Sequence, residues 1–118
     1  MILAAVDDLM FKVKLLETAK QVGARIATAS TAADALARAR AERPALIILD
    51  LHSGPCAPTD VLKALKADPD LKTIPTLGYF SHVEAAVGQR ALEAGCDQVL
   101  PRSAFSARLP ELLRPYAT

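Results

Sequence analysis

The sequence predicts an α/β domain in which a parallel sheet is covered by helices on both faces. Two observations carry this reading. Short apolar runs of strand length alternate five times with segments of helical period, and the connections between them are short. The run Ala45-Leu46-Ile47-Ile48-Leu49 is continuously apolar, as in a strand buried on both faces in the middle of a parallel sheet. Right-handed crossovers then restrict the topology to a doubly wound sheet. Residues 1–118 make one domain, since domains typically hold roughly 100–150 residues.

Residues 2–6 form the first strand, ended by Asp7 and Asp8. Over residues 9–22, Phe11, Leu15, Leu16 and Ala19 recur at helical spacing, and Gly23 sits where a helix C′ residue belongs. Residues 24–29 are a weak second strand carried by Ile26. Ser30 or Thr31 caps an alanine-rich helix that runs towards Glu42. Arg43-Pro44 stops it, because the residue before a proline avoids the helical region. Residues 45–49 are the third strand, with Asp50 at its C-terminal end. A loop over residues 52–58 holds one glycine and two prolines. Thr59 or Asp60 caps a helix over residues 61–66, which Asp68-Pro69 ends. Residues 75–80 are the fourth strand, and residues 83–94 a helix closed by Gly95. Residues 98–100 are a short fifth strand, and residues 104–116 the last helix, with Pro110 and Pro115 limiting its regularity.

Composition removes several function classes. A net charge of +1 gives no case for nucleic acid, and five aromatics without tryptophan make no stacking surface for single strands. No apolar run approaches the roughly 20 residues of a membrane helix. The N-terminal apolar run lacks a basic lead, so it does not read as a signal peptide. Cys56 and Cys96 cannot build a disulfide framework, which fits a reduced, cytoplasmic protein. Cys96 reads as a small core hydrophobe, and His82 as a surface helix residue.

In open α/β sheets, chemistry sits beyond the C-terminal ends of the strands. Asp7 and Asp8 follow the first strand and Asp50 the third. If those strands are neighbours, the carboxylates converge, and they repel unless a cation neutralises them. Mg²⁺ suits such a site, being content with one or two carboxylates plus water and a phosphate. A carboxylate beside Mg²⁺ can also act as a nucleophile towards phosphorus. The alternative is that Asp7 and Asp8 merely cap the first helix and favour its positive end.

Asp7-Asp8, the segment from Pro44 to Leu51 with Asp50, Asp68-Pro69 followed by Ile74-Pro75, and Ala94-Gly95-Cys96-Asp97 occur in the order and spacing of a known family. With them the whole chain resembles the receiver domain of bacterial response regulators. The resemblance implies a CheY-like, flavodoxin-like fold with strand order 2-1-3-4-5. It also implies a phosphoacceptor at Asp50, loaded by a histidine kinase in a two-component phosphorelay.

Carried over residue by residue, the resemblance also shows departures. Counting from the strand puts the family's acidic pair at Asp7 and Asp8; counting back from Gly23 puts it at Val6 and Asp7. The second count is favoured and leaves a weak Mg²⁺ site, to which the His52 backbone carbonyl would contribute. At the family's threonine or serine position stands Phe80, which offers no hydroxyl. Ser81 substitutes only if the strand slips by one residue, which would turn its side chain to the other face. Arg102 takes the lysine position, where a planar guanidinium does not fill the slot of a compact ammonium.

The expected protein is therefore an atypical or pseudo-receiver. It is non-enzymatic and works through a protein partner, with phosphorylation of Asp50 impaired or absent. The partner, a histidine kinase or a downstream regulator, would use the face of the fourth helix, fifth strand and fifth helix, including Val83, Val87, Arg90, Val99 and Pro101. The rival expectation is a phosphorylatable receiver using Mg²⁺. A small α/β enzyme or flavin binder finds no support, since no glycine-rich phosphate loop follows the first strand.

Overall fold

Five short segments form a parallel sheet in a computed structural model that describes residues 1–117 and, at His82, the backbone alone. The surface reading of the His82 side chain therefore lies outside the described residues. The strands are β1 (Ile2–Ala5), β2 (Ile26–Ala29), β3 (Leu46–Asp50), β4 (Thr76–Phe80) and β5 (Gln98–Pro101), in the order β2-β1-β3-β4-β5. All four pairings are parallel. β1 and β3 lie inside the sheet and are buried along their whole length, which is why both read as unbroken apolar runs.

Helices α1 (Leu9–Val22), α2 (Ala32–Glu42), α3 (Pro58–Ala67), α4 (Ala85–Glu93) and α5 (Arg102–Leu113) link the strands and cover the sheet. Strand side chains alternate between two cores, as the period of two requires. On one face Ile2, Ala4, Ile48, Leu77 and Tyr79 meet Phe11 and Leu15 of α1 and Phe105, Leu109 and Leu113 of α5. On the other face Leu3, Ala5, Ile47 and Leu49 meet Ala35 and Ala39 of α2, Leu62 and Leu65 of α3, and Ala91 of α4.

Several boundaries follow the local signals. Asp8 caps α1 by accepting the Phe11 amide at 3.1 Å, and Gly23 closes it at φ 77°. Thr31, not Ser30, caps α2 by accepting the Asp34 amide at 3.1 Å. Asp97 ties the start of β4 to the turn before β5, accepting both the amide and the hydroxyl of Thr76.

Three boundaries differ from the sequence reading. α3 begins at Pro58 rather than after Thr59 or Asp60, because proline suits the first helical position, where no amide partner is needed. α4 begins only at Ala85, after a 3₁₀ turn over His82–Glu84. β5 extends to Pro101, opposite Phe80, and α5 starts at once with Arg102 instead of Ala104. Proline is tolerated there because β5 is an edge strand and needs no donor on its open side.

Candidate functional site

The C-terminal ends of β1, β3, β4 and β5 gather the residues singled out in the sequence. Asp50 is the last residue of β3 and 8% exposed. Its Oδ1 accepts the His52 amide at 2.9 Å, a turn that fixes the carboxylate at the strand tip. Asp50 lies opposite Tyr79 across the β3–β4 pairing.

The two aspartates after β1 have separate fates. Asp7 is exposed, and no hydrogen bond or ion pair engages it among the described residues. Asp8 caps α1 and also accepts from the Arg102 guanidinium at 3.1 Å. The Phe11 amide and then Arg102 hold the Asp8 carboxyl below its ordinary value, since both stabilise the ionised form. Val6, the other candidate for the first acidic position, is fully buried and donates its amide to Ala29 at 2.9 Å.

Asp7 and Asp50 converge on one end of the sheet, and both charges bear on the buried Cys56 thiol. Burial is the first cause that pushes this thiol up, and the two carboxylates add to it. Among the described residues no group of three or more His, Cys, Asp or Glu could hold a metal. A cation here would draw on Asp7, Asp50 and the His52 carbonyl, with Asp8 committed elsewhere. That set fits Mg²⁺ only with several waters retained.

Arg102 does not turn to Asp50. Its guanidinium pairs with Asp8 and lies 4.7 Å from the centre of the Phe11 ring. It is half exposed and is engaged by Asp8 and the Phe11 ring rather than by Asp50.

Phe80 ends β4 and Ser81 follows it. Phe80 alternates with Tyr79 and so faces the second core, where its ring lies against Gly88 of α4. The Ser81 amide donates to His52 Nε2 at 2.8 Å, and His52 Nδ1 faces Glu84 Oε2 at 3.6 Å. His52 thus bridges two loops with its side chain, whereas the sequence reading used only its backbone carbonyl. The pairing spans 29 positions, and no local signal announces it.

Tyr79 was missed as a site residue. Its ring stacks on Phe105 at 4.7 Å and packs against Phe11 at 4.7 Å. Burial pushes the phenol well above its ordinary value, and the Asp50 charge pushes in the same direction. Strand alternation would have placed Tyr79 beside Asp50, had the register of β3 against β4 been known.

Neither a family model nor a curated protein sequence matches the chain. Solved structures do. The chemotaxis response regulator CheY4 of Vibrio cholerae superposes with a TM-score of 0.84 at 22% identity, over 98% of this chain and 96% of that one. A response regulator from Hahella chejuensis gives 0.86 at 18% identity, over 99% and 94%. The receiver domain of the sensor histidine kinase PA1611 from Pseudomonas aeruginosa gives 0.84 at 16% identity, over 98% and 94%; that structure holds a magnesium ion in its active-site cleft. At these identities the likeness is one of architecture: the chain has the fold of a response-regulator receiver domain.

Proposed function

We propose that the chain is an atypical, non-enzymatic receiver module of two-component signalling that acts mainly by binding a protein partner, with phosphoryl transfer to Asp50 impaired or absent. The observation that carries this reading is Phe80. Its ring is packed on Gly88, where the resemblance calls for a hydroxyl. The rest of the site agrees: the Ser81 amide is taken by His52, and Arg102 is held by Asp8.

The partner is a histidine kinase or a downstream regulator, and no nucleic acid or membrane. It would dock on the face of α4, β5 and α5. Val83 is 76% exposed beside that face and Leu92 of α4 is exposed. Arg90, expected on this face from the sequence, instead lines a groove with Thr59 and Lys63 of α3, because it sits two positions from Leu92 and so on nearly the opposite side of the helix. No helix is long and apolar enough to cross a membrane among the described residues; the cytoplasmic place of work belongs to the reading as a two-component receiver module.

A second reading, a phosphorylatable receiver, is favoured by Asp50 itself, whose carboxylate stands at the tip of β3 with Oδ1 held by the His52 amide and the Tyr79 phenol beside it. Mg²⁺ held by Asp7, Asp50 and the His52 carbonyl would neutralise charge on the incoming phosphoryl group.

Acetyl phosphate with Mg²⁺, followed by intact-protein mass spectrometry, separates the two. An Asp50 oxygen attacks phosphorus, the bond between phosphorus and the acetyl oxygen breaks, and acetate leaves with the electron pair. Losing one preorganised donor costs on the order of 3 kcal/mol, a slowing of about a hundredfold. Slow or absent modification is expected. Rapid, stoichiometric modification that Asp50→Asn abolishes would establish the second reading and overturn the first.

A further inference from the structure

The Tyr79 hydroxyl is a buried polar group with no hydrogen-bond partner of normal geometry. The residue is 1% exposed, and its ring is clamped between Phe11 and Phe105. A buried hydroxyl without a partner costs on the order of 1–3 kcal/mol, so its retention asks for a reason. Tyrosine delivers nothing to this aromatic stack that phenylalanine would not, apart from that hydroxyl.

Its position supplies the reason. Tyr79 lies opposite Asp50 in the β3–β4 register, and the alternation of both strands puts the two side chains on the same face of the sheet. Of the charges acting on the phenol, that of Asp50 comes first, followed by those of Arg102 and Asp8. A phenol is protonated at neutral pH, and burial disfavours its anion further, so it presents an O–H donor.

We infer that the Tyr79 hydroxyl is the hydrogen-bond donor of the Asp50 site, held for an oxygen of a phosphoryl group carried on Asp50. It stands at the neighbouring strand position and does not restore the donor place that Phe80 leaves empty, so transfer to Asp50 stays slow. The inference rests on reading Asp50 as an acceptor, however slow. It accounts for a site in which one donor position is lost while a new donor, absent from the sequence motif, stands on the acceptor's own side of the sheet.

The test uses beryllium fluoride with Mg²⁺. In this phosphoryl mimic, beryllium bonds an Asp50 oxygen and its three fluorines stand where phosphoryl oxygens would. Bound fluoride is followed by ¹⁹F NMR in the unaltered protein, in Tyr79→Phe and in Asp50→Asn. Tyr79→Phe keeps the ring stack and removes only the unpartnered hydroxyl, so its melting temperature should match or exceed that of the parent. A bound signal in the parent is expected, absent in Asp50→Asn and needing about tenfold more beryllium fluoride in Tyr79→Phe. Equal binding by the parent and Tyr79→Phe overturns the inference and leaves the proposed function standing. No bound signal in the parent overturns the inference and removes Asp50 from the chemistry, leaving partner binding alone.

A second readout is built into the chain, which has two tyrosines and no tryptophan. In Tyr116→Phe, Tyr79 is the only intrinsic fluorophore. Its emission should change when the mimic binds, and unchanged emission alongside a bound ¹⁹F signal also overturns the inference.

Discussion

The two faces of the sheet treat the end of β4 in opposite ways. On the α1/α5 face Tyr79 stands beside Asp50, with Phe11 and Phe105 around its ring and the Asp8–Arg102 pair nearby. On the α2–α4 face the next residue, Phe80, points away and is received by Gly88. One peptide step separates a polar group on the Asp50 side of the sheet from an apolar ring on the other. The bulk of Phe80 is taken up by α4 and leaves Asp50 undisturbed; on the proposed reading, what the strand tip lacks is a hydrogen-bond donor.

The α1/α5 face depends on its aromatic cluster, and removing part of it should have the largest effect. Phe105 is fully buried, so Phe105→Ala should cost about 3–5 kcal/mol in denaturant unfolding. A loss below 1 kcal/mol would show that the cluster does not hold Tyr79.

The α2–α4 face should answer to a smaller change. A Cβ on Gly78 would come within 2.9 Å of Leu51, the residue just after Asp50. Gly78→Ala should therefore cost about 1–3 kcal/mol, with Leu51 displaced. An unchanged unfolding midpoint would mean that the face is loosely packed.

The smallest effect concerns the two aspartates after β1. Asp8→Ala should lower stability at neutral pH by removing the α1 cap and leaving Arg102 unpaired in the first turn of α5. The folded-state carboxyl of Asp8 is depressed, so its contribution is complete above the ordinary value of 3.8 and is lost as the pH falls through the lower folded value. The gap between parent and variant should close in acid. In calorimetric titration Asp8→Ala should leave weak Mg²⁺ binding intact, while Asp7→Ala removes it. Loss of binding in Asp8→Ala would assign Asp8 to the metal.

The residues that were legible are those whose signals are local. The apolar run of β3, the glycine after α1 and the Arg43-Pro44 stop need only their neighbours to be read, and Asp50 inherits its place from β3. What stayed hidden depends on distance. Arg102 meets Asp8 across 94 positions, and its guanidinium could be aimed only once α5 was known to start directly after β5. His52 reaches Ser81, and Tyr79 reaches the side of Asp50, through strand register that no single segment encodes. The start of α3 was hidden for another reason: Ala57 enters it with φ 40°, a left-handed conformation that its residue type does not announce.

The loss of a donor at the strand tip is tested most directly by restoring it. The rate of Asp50 modification by acetyl phosphate with Mg²⁺ would be measured for the parent and for Phe80→Thr combined with Arg102→Lys. The account predicts slow modification of the parent and a rate higher by up to about a hundredfold in the double variant, all of it lost when Asp50→Asn is added. A parent that is already fast, with no gain from the new hydroxyl and lysine, would contradict it.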